Sequence, residues 1–161
     1  MKSMPTGAYS QVMTDAQPPV TALVTAVDHV GVAVQDLDEA IAFYRDTMGL
    51  RLDHVEVNEE QGVKEAMMRA PGDDGTGTAI QLLAPLRPDS TIGKFLAKRG
   101  PGLQQLAYRV TDVEAAADAV RAKSTRVLYE KAKHGTADSK VNFVHPKDTG
   151  GVLIELVEPK S

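Results

Sequence analysis

An α+β fold, built as two tandem βαβββ modules in one curved mixed sheet, is what the sequence predicts. Two observations carry it. The stretch "VDHVGVAVQDLDEAIAFYRDTMGLRLDHVE", starting at Val27, is echoed by "LQQLAYRVTDVEAAADAVRAKSTRVLYE", starting at Leu103, with His29 matched to Gln105 and Asp36 to Asp112 at an offset of 76 residues. Each copy also reads in the same order: an apolar run of strand length, a segment with helical spacing, then short strand-like runs separated by turn residues.

From Val27 to Val34 nearly every position is apolar, which predicts a strand covered on both faces. Asp36 is placed to cap a helix whose apolar stripe is Leu37, Ala40, Ile41 and Tyr44, and Gly49 is placed to stop it. The runs "LRLDHVEVN", "GVKEAMMRAP" and "GTAIQLLAPL" predict three consecutive strands. Ser90 and Gly100 bracket a short linking helix. In the second copy Asp112 caps the helix, and "STRVLYE", "SKVNFVHP" and "GGVLIELVEP" supply the strands, the last setting Glu155 under Gln81 at an offset of 74. The first module covers about residues 26–87, the linking helix 90–99 and the second module 102–159, all sharing one hydrophobic interior. Residues 1–25 are too polar and Pro-rich for a secretory or membrane segment and read as a flexible leader, with Met4 or Met13 as candidate native starts behind an added extension.

The bulk numbers narrow the function. Twenty-two acidic and 18 basic residues give a net charge of -4 without long blocks, so nucleic acid and anionic membranes are excluded as partners. No cysteine is present, which removes disulfides, thiolate metal sites and cysteine nucleophiles and points to a reducing cytoplasm. A small-molecule substrate is expected, and a homodimer formed through an exposed edge or the leader.

Four polar residues stand on strand positions that could have been apolar: His29, Gln81, Gln105 and Glu155. Singly, each reads as a hydrogen-bonded core residue. Together they occupy the same two strand positions in each copy, so a pseudo-twofold axis brings them to one place. Gly31 and Ala33 share the parity of His29 and leave room beside it. An imidazole, two amides and one carboxylate suit a hard or borderline divalent ion, Mn²⁺, Co²⁺, Mg²⁺ or Zn²⁺, rather than copper.

These residues resemble the vicinal oxygen chelate superfamily, metalloenzymes of paired βαβββ modules. The stretches "NEEQGVKEAMM", "STIGKFLAKRGPGLQQLAYRV" and "VNFVHPKDTGGVLIELVEP" are similar to the methylmalonyl-CoA epimerase family within it, over nearly all of Val27 to Pro159. The resemblance implies a divalent metal ion on His29, Gln81, Gln105 and Glu155, with Co²⁺ or Mn²⁺ first and Mg²⁺, Zn²⁺ and Ni²⁺ as alternatives. It implies Glu65 as the base that removes the C2 proton of an acyl-CoA thioester. One departure stands out: the family pattern has two histidines where this chain has Gln104 and Gln105.

Glu65, on the opposite face of its strand from Lys64, is expected to have its pKa raised by desolvation. The second proton carrier is left open among Glu155, Lys140, Asn142 and water. Asn142, His145 and Lys147 are the candidate substrate contacts, His145 and Lys147 reaching the substrate carboxylate or the CoA phosphates. Two other readings use the same fold: a glyoxalase-like isomerase, whose pattern has a carboxylate where this chain has Gln81, and a metal-free binding protein of the resistance type.

Overall fold

The computed structural model describes residues 23–161; the leader expected over residues 1–25 therefore lies mostly outside the described residues. The strands are β1 (Val24–Ala33), β2 (Arg51–Asn58), β3 (Val63–Arg69), β4 (Ala79–Pro85), β5 (Gly102–Val110), β6 (Lys133–His134), β7 (Lys140–Val144) and β8 (Leu153–Glu158). The α-helices are α1 (Leu37–Ala42), α2 (Thr91–Arg99) and α3 (Val113–Arg121). The predicted caps are in place: Asp36, Ser90 and Asp112 each accept from the backbone N–H three residues on. Gly49 and Gly100 end their helices at positive φ, 75° and 73°. After α1 the chain widens into a π-helical turn over Phe43–Thr47.

All eight strands form one sheet in the order β2-β3-β4-β1-β5-β8-β7-β6. β1 and β5 run antiparallel at its centre, each flanked by a parallel partner, β4 and β8. Val30 is paired with Leu106, and these two residues correspond by the repeat, so the pseudo-twofold axis passes between them. The predicted duplication is thus the symmetry of the sheet.

Three irregularities break the central ladder: one at Thr25 near its end, and two beside the repeat axis. Asp28 is an extra residue on β1 between the pairs Val27–Tyr108 and His29–Ala107, and Gln104 is an extra residue on β5 between Gly31–Gln105 and Val32–Leu103. They too correspond by the repeat. A bulge re-aims side chains that alternation would send to the other face.

Alternation sorts the remaining residues. Ala66, Met68 and Leu82 turn toward α1, and Val144 and Leu156 toward α3. Their neighbours Glu65, Gln81 and Glu155 turn to the opposite face. The shared interior that the sequence suggested is in fact divided: α1 and α3 cover separate clusters, α2 packs on Ala33, Val63 and Leu83, and Ala107, Val141 and Val157 form a fourth group.

The outer edge of the second module departs from expectation. "STRVLYE" forms only an isolated bridge, Val127 to Val144, and regular pairing resumes at β6. The reason is Asn142, whose amide accepts from the Tyr129 N–H and donates to the Tyr129 carbonyl, taking the place of a backbone rung. No helix of the described residues is long and apolar enough to cross a membrane.

Candidate active site

Five predicted residues meet on the face of the sheet away from α1 and α3. His29, Glu65, Gln81 and Glu155 are 3%, 6%, 3% and 7% exposed, which means that their polar atoms must be answered locally. His29 Nε2 lies 3.1 Å from Glu155 Oε2. The Gln105 amide donates to that same oxygen at 2.7 Å and to Gln81 Oε1 at 3.0 Å, and its nitrogen is 3.4 Å from His29 Nε2. Residues from β1, β4, β5 and β8, the four central strands, thus converge on one point.

Glu65 stands beside this cluster. Gln81 donates to its Oε2 at 3.0 Å, and the Thr136 hydroxyl donates to its Oε1. A carboxylate only accepts, so the NH₂ end of Gln81 must face Glu65 and the Gln81 oxygen must face the cluster. Thr136 comes from the turn between β6 and β7, which closes over the first module and also places the Ala137 N–H on Glu56. Burial pushes the Glu65 pKa up, opposed by the Thr136 hydrogen bond and reinforced by the negative charge of Glu155.

A second chain of contacts leads outward from His29. Its Nδ1 is 2.8 Å from Asp28 Oδ1, and the other Asp28 oxygen accepts from Arg109 Nε at 2.8 Å. Arg109 also donates to the Thr76 carbonyl at 3.1 Å. For His29, burial disfavours the charged form but is outweighed by Asp28 and Glu155, and its pKa is pushed up to about 9. For Asp28, burial is outweighed by His29 and Arg109, and the carboxyl is held at about 2.

Two cavities meet at this cluster and share Thr136 and Glu155. One, about 370 Å³, is walled by Asp28, His29, Met67 and Arg109. The other, about 460 Å³, holds Glu65, Gln81, Gln105 and Glu155, with Arg87 and Lys133 in its wall. Arg69, Arg109 and Lys160 in the first cavity are all engaged with carboxylates.

The predicted substrate contacts do not join the site. Asn142 is fully buried on the α3 side of β7 and holds Tyr129; His145 Nδ1 accepts from the Lys147 N–H in a turn. None of Asn142, His145 and Lys147 lines either cavity. Nor do Lys140 and Asn142 answer Glu65 across the axis. Glu65 is paired with Leu83, whereas Val141 is paired with the corresponding Val157, so Val141 holds the equivalent place. Lys140 is exposed and reaches Glu158 at 3.3 Å.

The model of the Glyoxalase/Bleomycin resistance protein/Dioxygenase superfamily matches residues 28–143. The chain belongs to that superfamily. Among solved structures, the methylmalonyl-CoA epimerase from Mycobacterium tuberculosis is 55% identical, with a TM-score of 0.81 over 86% of this chain and 91% of that one. A methylmalonyl-CoA epimerase in complex with methylmalonyl-CoA and NH4+ is 46% identical, again with a TM-score of 0.81, over 86% of this chain and 96% of that one. The mitochondrial methylmalonyl-CoA epimerase of Mus musculus is 38% identical over 131 residues, 81% of this chain and 71% of its own length.

Within this superfamily chain, sequence reasoning missed Asp28, Arg109 and Thr136. Asp28 precedes His29, and simple alternation sends it to the other face; only the bulge brings it back. Thr136 meets Glu65 across 71 residues, and no local pattern announces that contact.

Proposed function

We propose that this chain is a methylmalonyl-CoA epimerase that interconverts the 2R and 2S forms with the help of a divalent metal ion. The observation that carries the reading is the juxtaposition of a buried, hydrogen-bonded Glu65 with the cluster of His29, Gln81, Gln105 and Glu155. The relatives named methylmalonyl-CoA epimerase, one of them with methylmalonyl-CoA bound, support the substrate class.

The cluster fits an ion. Ligands about 2.1 Å from a common centre stand roughly 3 Å apart when at right angles. Here the Gln105 amide nitrogen stands 2.7–3.4 Å from His29 Nε2, Gln81 Oε1 and Glu155 Oε2, and His29 Nε2 is 3.1 Å from Glu155 Oε2. A half-turn of the Gln105 amide exchanges its nitrogen for its oxygen, giving one nitrogen and three oxygen donors. Among the described residues there is no group of three or more His, Cys, Asp and Glu placed to hold a metal; two of the four donors here are amides. Such a set favours Co²⁺ or Mn²⁺, with Mg²⁺, Zn²⁺ and Ni²⁺ as alternatives. When bound, the ion supplies a Lewis acid that accepts the charge developing on the thioester oxygen.

The chain's residues do the rest. Glu65 takes the C2 proton, its basicity raised by burial and its aim fixed by Gln81 and Thr136. Glu155, the other buried carboxylate lining the larger cavity, is the candidate to return a proton on the opposite face. The acyl-CoA arm enters through the larger cavity, where Arg87 and Lys133 stand in the wall.

Incubation of (2R)-methylmalonyl-CoA with the purified chain, followed by resolution of the two epimers, tests the assignment. Equal amounts at equilibrium support it, and persistence of the starting epimer refutes it. A cytoplasmic homodimer completes the proposal, and a solution mass of one chain at micromolar concentration would overturn the dimer.

A further inference from the structure

We infer that Asp28 and Arg109 are positioning residues that set the tautomer of His29 and so prepare its Nε2 as a ligand. The inference rests on the reading of the cluster as a cation site. His29 faces a carboxylate at each ring nitrogen, Asp28 at Nδ1 and Glu155 at Nε2, and an ion held between His29 and Glu155 would displace the proton at Nε2 and leave one on Nδ1. The Asp28 carboxylate, 2.8 Å from Nδ1, can only accept, so it holds the proton there. Arg109 fixes the carboxylate from behind at 2.8 Å and is itself tied to the Thr76 carbonyl, which joins the β3–β4 loop to the central strands.

The pseudo-symmetry supplies the control. Both modules have a bulge one residue before a cluster residue, Asp28 before His29 and Gln104 before Gln105. Where the cluster residue is an imidazole with two tautomers, the bulge carries a carboxylate backed by a guanidinium. Where the cluster residue is an amide, which has no tautomer to choose, the bulge carries a second amide whose oxygen has no partner. The residue corresponding to Arg109 in the first module is Ala33, fully buried and apolar. The carboxylate and its cation therefore accompany the imidazole and are not a general feature of the bulge.

Titration of the purified, metal-free chain with Co²⁺, followed by calorimetry and visible absorption, tests this without reference to activity. Asp28→Asn is expected to weaken Co²⁺ binding about ten- to a hundredfold, the range for loss of a carboxylate behind a metal-bound histidine. Arg109→Met is expected to weaken it less, in the same direction. In the Co²⁺-loaded protein the shifted, solvent-exchangeable Nδ1–H proton resonance of His29 should exchange faster with water in both variants. A purely structural role would lower the melting temperature while leaving affinity and the exchange rate unchanged, and that result, or Co²⁺ affinity within twofold of wild type in both variants, overturns the inference. If the unmodified chain binds no Co²⁺ and no other divalent ion, the cation-site reading fails first and the inference falls with it.

Discussion

Gly31 lies directly across the β1–β5 ladder from Gln105, and a Cβ added at Gly31 would stand 2.4 Å from the Gln105 Cγ. The glycine is the space into which Gln105 folds on its way to Gln81 and Glu155. Sequence reading recognised that small residues beside His29 leave room; the room is filled from the other module.

Gly31→Ala should therefore push Gln105 out of the cluster. Overpacking of this kind costs about 1–3 kcal/mol, read as a lower denaturant midpoint. The larger expected effect is on Co²⁺ or Mn²⁺ affinity, which should fall several-fold as one of four donors is displaced. Unchanged metal affinity would show that Gln105 is no ligand.

Glu65→Gln keeps the shape and the Gln81 and Thr136 neighbours but removes the base. Epimerisation should drop about 100- to 10,000-fold, with metal affinity held within a few-fold. A variant that retains activity removes Glu65 from the mechanism.

The acid limb of kcat/KM should report Glu65. Its pKa is raised by burial, so the basic form is lost at a higher pH than for an ordinary glutamate, and activity should fall as pH drops through that raised value. The Thr136 hydrogen bond opposes the shift. Thr136→Val should move the limb to still higher pH, with a greater loss of rate at pH 6 than at pH 8. The corresponding stability effect has the opposite sense: a carboxyl raised on folding contributes stability at low pH that is lost as pH rises through its folded pKa.

Gln104 Oε1 is buried without a hydrogen-bond partner. Leaving such an acceptor unmade costs about 1–3 kcal/mol. Gln104→Met, of similar length, should raise the melting temperature by a few degrees. A lower melting temperature would mean that the amide is satisfied in solution.

Much of this was legible in the sequence, for identifiable reasons. The repeat at an offset of 76 fixed the module order, and the caps Asp36, Ser90 and Asp112 followed from side-chain chemistry one turn away. His29, Gln81, Gln105 and Glu155 could be grouped because duplication places equivalent residues around an axis. The same offset, carried to Glu65, leads to Val141 and would have excluded Lys140 and Asn142; the two-residue loss that changes the offset to 74 lies beyond that strand. Asp28 and Thr136 were not legible, because one depends on a bulge and the other on a loop that crosses between modules. Asn142 shows that a buried polar residue in a strand can serve a neighbouring loop as well as a ligand.

Proton-to-deuterium exchange at C2 of methylmalonyl-CoA in D₂O, followed by NMR, tests the central claim most directly. Rapid exchange is expected with the purified chain, with loss of exchange after chelation and recovery when Co²⁺ or Mn²⁺ is restored. Absence of exchange under all three conditions would contradict the epimerase assignment, and exchange untouched by chelation would contradict the role given to the metal.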